Sequence, residues 1–438
     1  MRAKKGQLSI LESIVQKNQS LTSKFLYNAV VRLGVKVRIA FVHEWLVTYA
    51  GSEKVLSEML KDFPEADLFC LVDFSDGRYK SHFLGKTFRT SFLQRFKALS
   101  GIYRYFFPLM SIAVEQFDLS GYDIVVSNSH SVAKGVITGP DQLHICYCYT
   151  PMRYAWDLQH QYLREQRFDG RPRGVVARAV LHRARIWDTR TANGVDHFIA
   201  CSEYIGRRIW KAYRRSSDVI YPGVDTNYFR IGGTKGDYYF TSSRMVPYKK
   251  IPLIVEAFRQ MPDKKLVVIG DGPQYKDALR RAGPNVSVLG YQPDDVLLKH
   301  MQEAKAFIFM AEEDFGITPL EAQACGTPVL AFGRGGASET VVDGVTGFHF
   351  WEQSAQAVCD VVAKFENSTV TFDPATIRQH AERFSIARFR TEFKNLVLAK
   401  WQAHSRANAG VKERVKNEAG LRDRANGTGR SLPHQAPA

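Results

Sequence analysis

With 438 residues, 45% hydrophobic and 24% charged, the chain carries enough apolar side chain to bury the cores of two or three domains. That composition excludes a collagen, a coiled coil and wholesale disorder, and no run reaches the ~18 uninterrupted apolar residues of a membrane-spanning helix. The formal charge is +16, but residues 1–38 supply +7 and residues 405–438 supply +4, leaving +5 on the body. A nucleic-acid partner is therefore not expected, because it calls for basic groups on the folded domains. Basic ends suit an anionic membrane surface or plain solubility.

In chain order, residues 1–36 read as a basic extension with a short helix, without the apolar core of a secretory signal. The ordered pattern starts with the strand Val37–Val42. A helix follows from Gly51, with Val55, Leu56, Met59 and Leu60 on one face. Apolar runs at Tyr122–Val126, Leu143–Tyr149 and Val195–Cys201 read as buried strands with helices between them. Cys146 and Cys148 share one face of such a strand but have no further ligands for a metal. The six cysteines form no CxxC pair and read as reduced, buried thiols of a cytosolic protein.

The second half repeats the theme. Strands are expected at Tyr238–Thr241, Leu266–Ile269, Val286–Leu289, Ala306–Met310 and Pro328–Ala331. The pattern predicts an α/β fold of two doubly wound Rossmann-like domains, at 37–215 and 216–385, facing across a cleft. A C-terminal helix over 386–404 and a disordered tail over 405–438 complete the chain.

Ligands of open parallel sheets bind at the carboxyl ends of the strands, so the loops there are the candidates. Arg244 and Lys249 follow one strand, and cations in that place suit a diphosphate. Gly270-Asp271-Gly272-Pro273 follows the next, although its glycine pattern is incomplete for a dinucleotide fingerprint. Gly335-Gly336 makes another glycine turn. The run from Glu313 through Phe315-Gly316-Ile317 to Glu321 enters a helix. Two readings compete there. Thr318 and Glu321 have the spacing of a capping box; alternatively the helix start faces a phosphate, with carboxylates gripping hydroxyls nearby.

Taken together, these segments resemble glycosyltransferase family 4, the retaining GT-B enzymes, over about residues 37–400. Glu313 to Glu321 matches the family's E-x7-E pattern, and Arg244 and Lys249 match its GRLVxxKG segment, with Ser243 and Lys250 replacing two glycines. His43–Glu53 and Cys148–Tyr154 look like the bacterial polysaccharide-assembly, mannosyltransferase-like branch, with Ala50 in place of the first of two glycines.

The resemblance implies a GT-B hexosyltransferase that keeps the anomeric configuration. His130, Glu313, Arg244 and Lys249 would be catalytic. Gly51, Arg244, Lys249, Gly272, Phe315, Gly316, Ile317 and Glu321 would bind the nucleotide sugar, with Glu313 on sugar hydroxyls and Glu321 on the ribose. No Asp-x-Asp occurs, so no metal or other cofactor is expected.

GDP-mannose is the first donor implied and a UDP-sugar the second. The acceptor would be a polyprenyl-diphosphate-linked glycan or another glycan, reached by a cytoplasmic enzyme at the inner face of the membrane. Residues 89–112, where Arg89, Arg95, Lys97 and Arg104 mix with aromatic side chains, suit that interface. A GT-B sugar-nucleotide epimerase is the alternative enzyme class. A scaffold with a degenerate site is disfavoured because every proposed site residue is present.

Overall fold

The computed structural model describes residues 37–96, 107–165, 168 and 172–427, with side chains as far as Gly410. The extension 1–36, residues 97–106 of the basic and aromatic stretch, and residues 428–438 lie outside them.

Two wholly parallel sheets form two lobes. The first has seven strands: β1 Ile39–Leu46, β2 Asp67–Asp73, β3 Phe88–Thr90, β4 Ile124–Ser129, β5 Leu143–Cys148, β6 His197–Ala200 and β7 Ser217–Val219. They lie in the order β3-β2-β1-β4-β5-β6-β7. The second has β8 Tyr239–Ser242, β9 Leu266–Ile269, β10 Val286–Val288, β11 Ala306–Phe309, β12 Val329–Phe332 and β13 Gly347–Phe350, in the order β10-β9-β8-β11-β12-β13. Every named strand pair is parallel. Such strands are covered on both faces, which is why β4, β5, β11 and β12 are buried along their whole length.

In each sheet the strand order reverses once, between β1 and β4 and between β8 and β11. The carboxyl ends of these four strands are the switch points where such sheets hold ligands. All the candidate catalytic loops start there.

The chain crosses between lobes twice, at neighbouring places. Val224 N–H donates to Phe384 C=O (2.8 Å), Ile386 N–H donates to Val224 C=O (3.1 Å), and Arg388 Nη2 donates to Tyr221 C=O (2.8 Å). After the second crossing the last helix returns to the first lobe. Its Phe389, Phe393 and Val397 are fully buried. Phe393 meets Phe63 edge-on at 6.1 Å, and Arg390 forks onto both oxygens of Asp62 at 2.9 and 3.2 Å.

Two boundaries differ from the sequence reading. β7 pairs with β6, so the first sheet extends past residue 215. The last helix does not stop near 404 but runs Ile386–Gly427, through a stretch read as disordered tail. That stretch is rich in Ala, Lys, Arg and Glu, which are good helix formers even where no apolar stripe marks the period.

Candidate active site

Between the lobes lies a cavity of about 690 Å³. Trp45, Gly51, Glu53, His130 and Arg153 line it from the first lobe. Arg244, Tyr248, Lys249, Glu313–Thr318 and Pro222 complete the wall. Of the ten residues singled out in sequence, eight meet here: His130, Glu313, Arg244, Lys249, Gly51, Phe315, Gly316 and Ile317.

Gly272 and Glu321 are not on the wall. Gly272 has φ +146°, and a Cβ there would stand 2.8 Å from the carbonyl oxygen of Met245. Met245 N–H in turn donates to Asp271 C=O at 2.8 Å. The glycine turn therefore braces the Arg244–Met245 loop from behind instead of lining the cavity. Glu321 lies in the second turn of its helix, half-buried, and its carboxylate has no hydrogen bond or ion pair among the described residues. Burial pushes its carboxyl up, and Lys54 pulls it back.

The proposed capping box does not form. The helix begins at Ile317, with Gly316 at the N-cap in a left-handed conformation (φ +79°) and no side chain capping the first turn. Thr318 is already inside the helix, where it borders the cavity. The cause is tertiary. Gly336 packs so closely that a Cβ on it would sit 2.2 Å from Phe315 C=O, and Gly336 N–H donates to Glu313 C=O at 2.8 Å. That contact fixes Glu313–Phe315 as a loop and delivers an uncapped helix start to the cavity, with its backbone donors and positive dipole end.

Lys249 ends the short turn Pro247–Lys249 and its ammonium touches Oε1 of Glu313. Its amine is pushed down to about 7, first by burial and then by the charges of Arg153 and Arg244, with Asp314 opposing. Arg244 is exposed, and its guanidinium has no hydrogen bond or ion pair among the described residues. Two cationic side chains thus face one cavity, Lys249 held by Glu313 and Arg244 with no ion pair among the described residues, an arrangement suited to a diphosphate.

On the first lobe, a Cβ built on Gly51 meets no atom within 4 Å. Beside it Glu53 accepts from Ala50 N–H (3.1 Å) and stands 3.2 Å from Nε2 of the fully buried His43. The other His43 nitrogen faces Asn128 Oδ1 at 3.1 Å. Burial by itself would lower the His43 pKa, but the bond to Glu53 and its charge hold it above the ordinary value.

The sequence reading missed how the lobes are joined at the cavity rim. Asp314 pairs with Arg153, accepts from Arg208 at 3.1 Å, and takes the Ser202 hydroxyl on its backbone oxygen at 2.5 Å. The two oxygens of Glu339 accept the first amides of the helix Glu203–Tyr213, from Glu203 (2.9 Å) and Tyr204 (2.7 Å). Arg153 and Asp314 lay inside the quoted segments, but nothing in sequence showed that they meet. Among the described residues no group of three His, Cys, Asp or Glu side chains forms a metal site, and no helix is long and apolar enough to cross a membrane.

Two facing parallel lobes, with cations and an uncapped helix start at their switch points, define the GT-B class of sugar transferases. Residues 227–384 match the profile of the glycosyl transferases group 1, and residues 49–228 match that of Glycosyltransferase Family 4. The chain belongs to glycosyltransferase family 4, a family of enzymes that move sugars from activated donors.

Among curated relatives, a GDP-mannose-dependent α-(1-6)-phosphatidylinositol monomannoside mannosyltransferase of Mycolicibacterium smegmatis is 31% identical over 39% of this chain and 53% of its own length. The chain spans about half the length of that relative. A lipopolysaccharide 1,2-N-acetylglucosaminetransferase of Salmonella typhimurium is 33% identical over 25% of this chain and 34% of its own length. Among solved structures, Anabaena HepE in complex with UDP superposes with a TM-score of 0.62 at 17% identity, covering 83% of this chain and all of that one. That likeness is one of fold.

Proposed function

We propose that the chain is a retaining hexosyltransferase that moves mannose from GDP-mannose to a lipid-linked or polysaccharide acceptor during bacterial surface-glycan assembly. The observation that carries this is the inter-lobe cavity described above: Arg244, Lys249, Glu313 and the Gly316–Thr318 helix start line it from one side, Gly51 and His130 from the other.

As the anomeric bond breaks, negative charge grows on the leaving diphosphate. Arg244, Lys249 and the amides of the helix start stabilise that charge where it forms, and no metal is required. Glu313 grips sugar hydroxyls once the diphosphate draws Lys249 away from it. Glu321, free of any capping duty but behind the cavity wall, would take the ribose hydroxyls only where the donor reaches past Thr318. His130 stands beside the sugar. Holding donor and acceptor together in one cavity supplies the rest of the rate through orientation.

The mannosyltransferase relative supports GDP-mannose, and UDP bound to the HepE neighbour supports a UDP-hexose as the second reading. A thermal-shift screen decides between them, because only a bound donor raises the melting temperature. A shift with GDP-mannose alone supports the first, a shift with UDP-glucose alone the second, and none with either refutes both.

Peripheral membrane attachment at the cytoplasmic face is part of the proposal. Exposed Phe92, Phe96, Leu109 and Ile112 on the first lobe support it, and absence of flotation with anionic liposomes at low salt would refute it.

A further inference from the structure

Under the cavity floor, Glu44 of β1 is completely buried. Its Oε1 collects four donors: the amides of His130 (2.9 Å), Ser131 (2.6 Å) and Ala133 (3.3 Å) and the hydroxyl of Ser129 (3.1 Å). Its Oε2 has no aligned hydrogen bond of its own and stands 2.6 Å from Nδ1 of His130. Burial would raise this carboxyl, yet the His130 charge and contact lead the groups that hold it down at about 2, so it is an anion.

An unprotonated ring nitrogen at 2.6 Å from a carboxylate oxygen would set two lone pairs against each other. Nδ1 therefore carries a proton. Trp45 meets the same ring edge-on, with centroids 4.9 Å apart, and limits its rotation. His130 keeps 29% of its side chain exposed on the cavity wall, and no described residue bonds its Nε2.

We propose that Glu44 is a positioning residue: it holds the His130 ring proton on Nδ1 and so presents Nε2 to the cavity as an acceptor for a sugar hydroxyl. The proposal rests on the reading of His130 as a site residue. It assigns a role to a group that touches no substrate and acts through the ring above it.

Glu44→Gln separates position from charge with almost no change of shape. The amide oxygen must stay with the four donors, since an NH2 group there would point hydrogens at hydrogens. The NH2 then faces Nδ1, which can only accept, and the ring proton moves to Nε2. Correlation NMR of ¹⁵N-labelled imidazoles reads this directly, with His130 assigned by the signals lost in His130→Gln.

The expected result is an Nδ1–H ring in the wild type, at a pH where it is neutral, and an Nε2–H ring in Glu44→Gln. Turnover, measured with GDP-mannose or with UDP-glucose if the screen selects it, should fall roughly 100-fold while donor KM changes little. An Nε2–H ring in the wild type, or the same tautomer in both proteins, overturns the proposal. The wild-type spectrum decides the matter even if the variant does not fold. A switched tautomer with unchanged turnover would instead overturn the reading of His130 and leave the Glu44 pairing standing.

Discussion

Lys249 offers the sharpest test of the donor site. Its amine sits at about 7 instead of the ordinary 10.5 because it is buried beside Arg153 and Arg244. With 7 as its value, about half the molecules would hold it uncharged near neutral pH, against the pull of the Glu313 carboxylate it touches. A diphosphate favours the ammonium, so donor binding should raise this pKa and take up a proton. The sign follows from linkage. Affinity is full below the free-enzyme pKa and declines as pH rises above it, until the bound-state pKa is reached.

Taking 7 as the free value and a much higher bound one, donor affinity should weaken about 30-fold between pH 6 and 8.5, close to 2 kcal/mol. Isothermal titration calorimetry in two buffers of different ionisation enthalpy measures both affinity and proton uptake. Uptake should be about half a proton per donor at pH 7 and approach one at higher pH. Lys249→Met should flatten the profile and slow transfer by about 2–4 kcal/mol, the scale for losing one charge-stabilising donor. A flat wild-type profile, or one that survives in Lys249→Met, would refute the reasoning.

Turnover should be unchanged by excess EDTA; full loss restored by Mg²⁺ would contradict the charge-stabilising role given to Arg244 and Lys249. Gly51→Ala fills space that no protein atom occupies, at the first residue of a helix. It should stabilise the fold by about 0.4–1 kcal/mol yet raise donor KM, so an unchanged KM would remove Gly51 from the donor wall. Glu44 is held at about 2 against 4.5 unfolded. Its contribution, about 3 kcal/mol, is complete above pH 4.5 and lost as pH falls towards 2, and denaturant titrations of the wild type and Glu44→Gln across that window should converge as the pH drops.

Most of the sheet framework was legible because strands covered on both faces read as unbroken apolar runs; Leu266–Ile269 is found with its expected ends. The strands that escaped notice include short or half-exposed ones. Phe88–Thr90 and Ser217–Val219 each have three residues with none buried, and Gly347–Phe350 is only four residues long, three of them buried. Their pairing is decided by the neighbouring strand, not by their own pattern.

The helix start was misplaced because local preference favours a threonine cap, whereas the close approach of Gly336 to the Phe315 backbone puts Gly316 there. In sequence Gly272 reads as a ligand contact, because a glycine turn looks the same whether it receives a phosphate or another loop. Glu44 shows the deeper limit. In sequence it is an acid just past the strand read at Val37–Val42, and only the folded chain gathers three amides, a hydroxyl and an imidazole around it.

The two passages of chain between the lobes run side by side and are hydrogen-bonded to one another. Fastened along one edge, the halves have a single easy freedom, which is to swing like the covers of a book about its spine. Sliding or twisting would tear the spine itself. A second fastening between the halves is the clasp of Asp314 with Arg153 and Arg208, beside the donor loop. Opening wide enough to discharge a spent nucleotide must therefore undo that clasp first, which ties the release of product to residues that take no part in the chemistry.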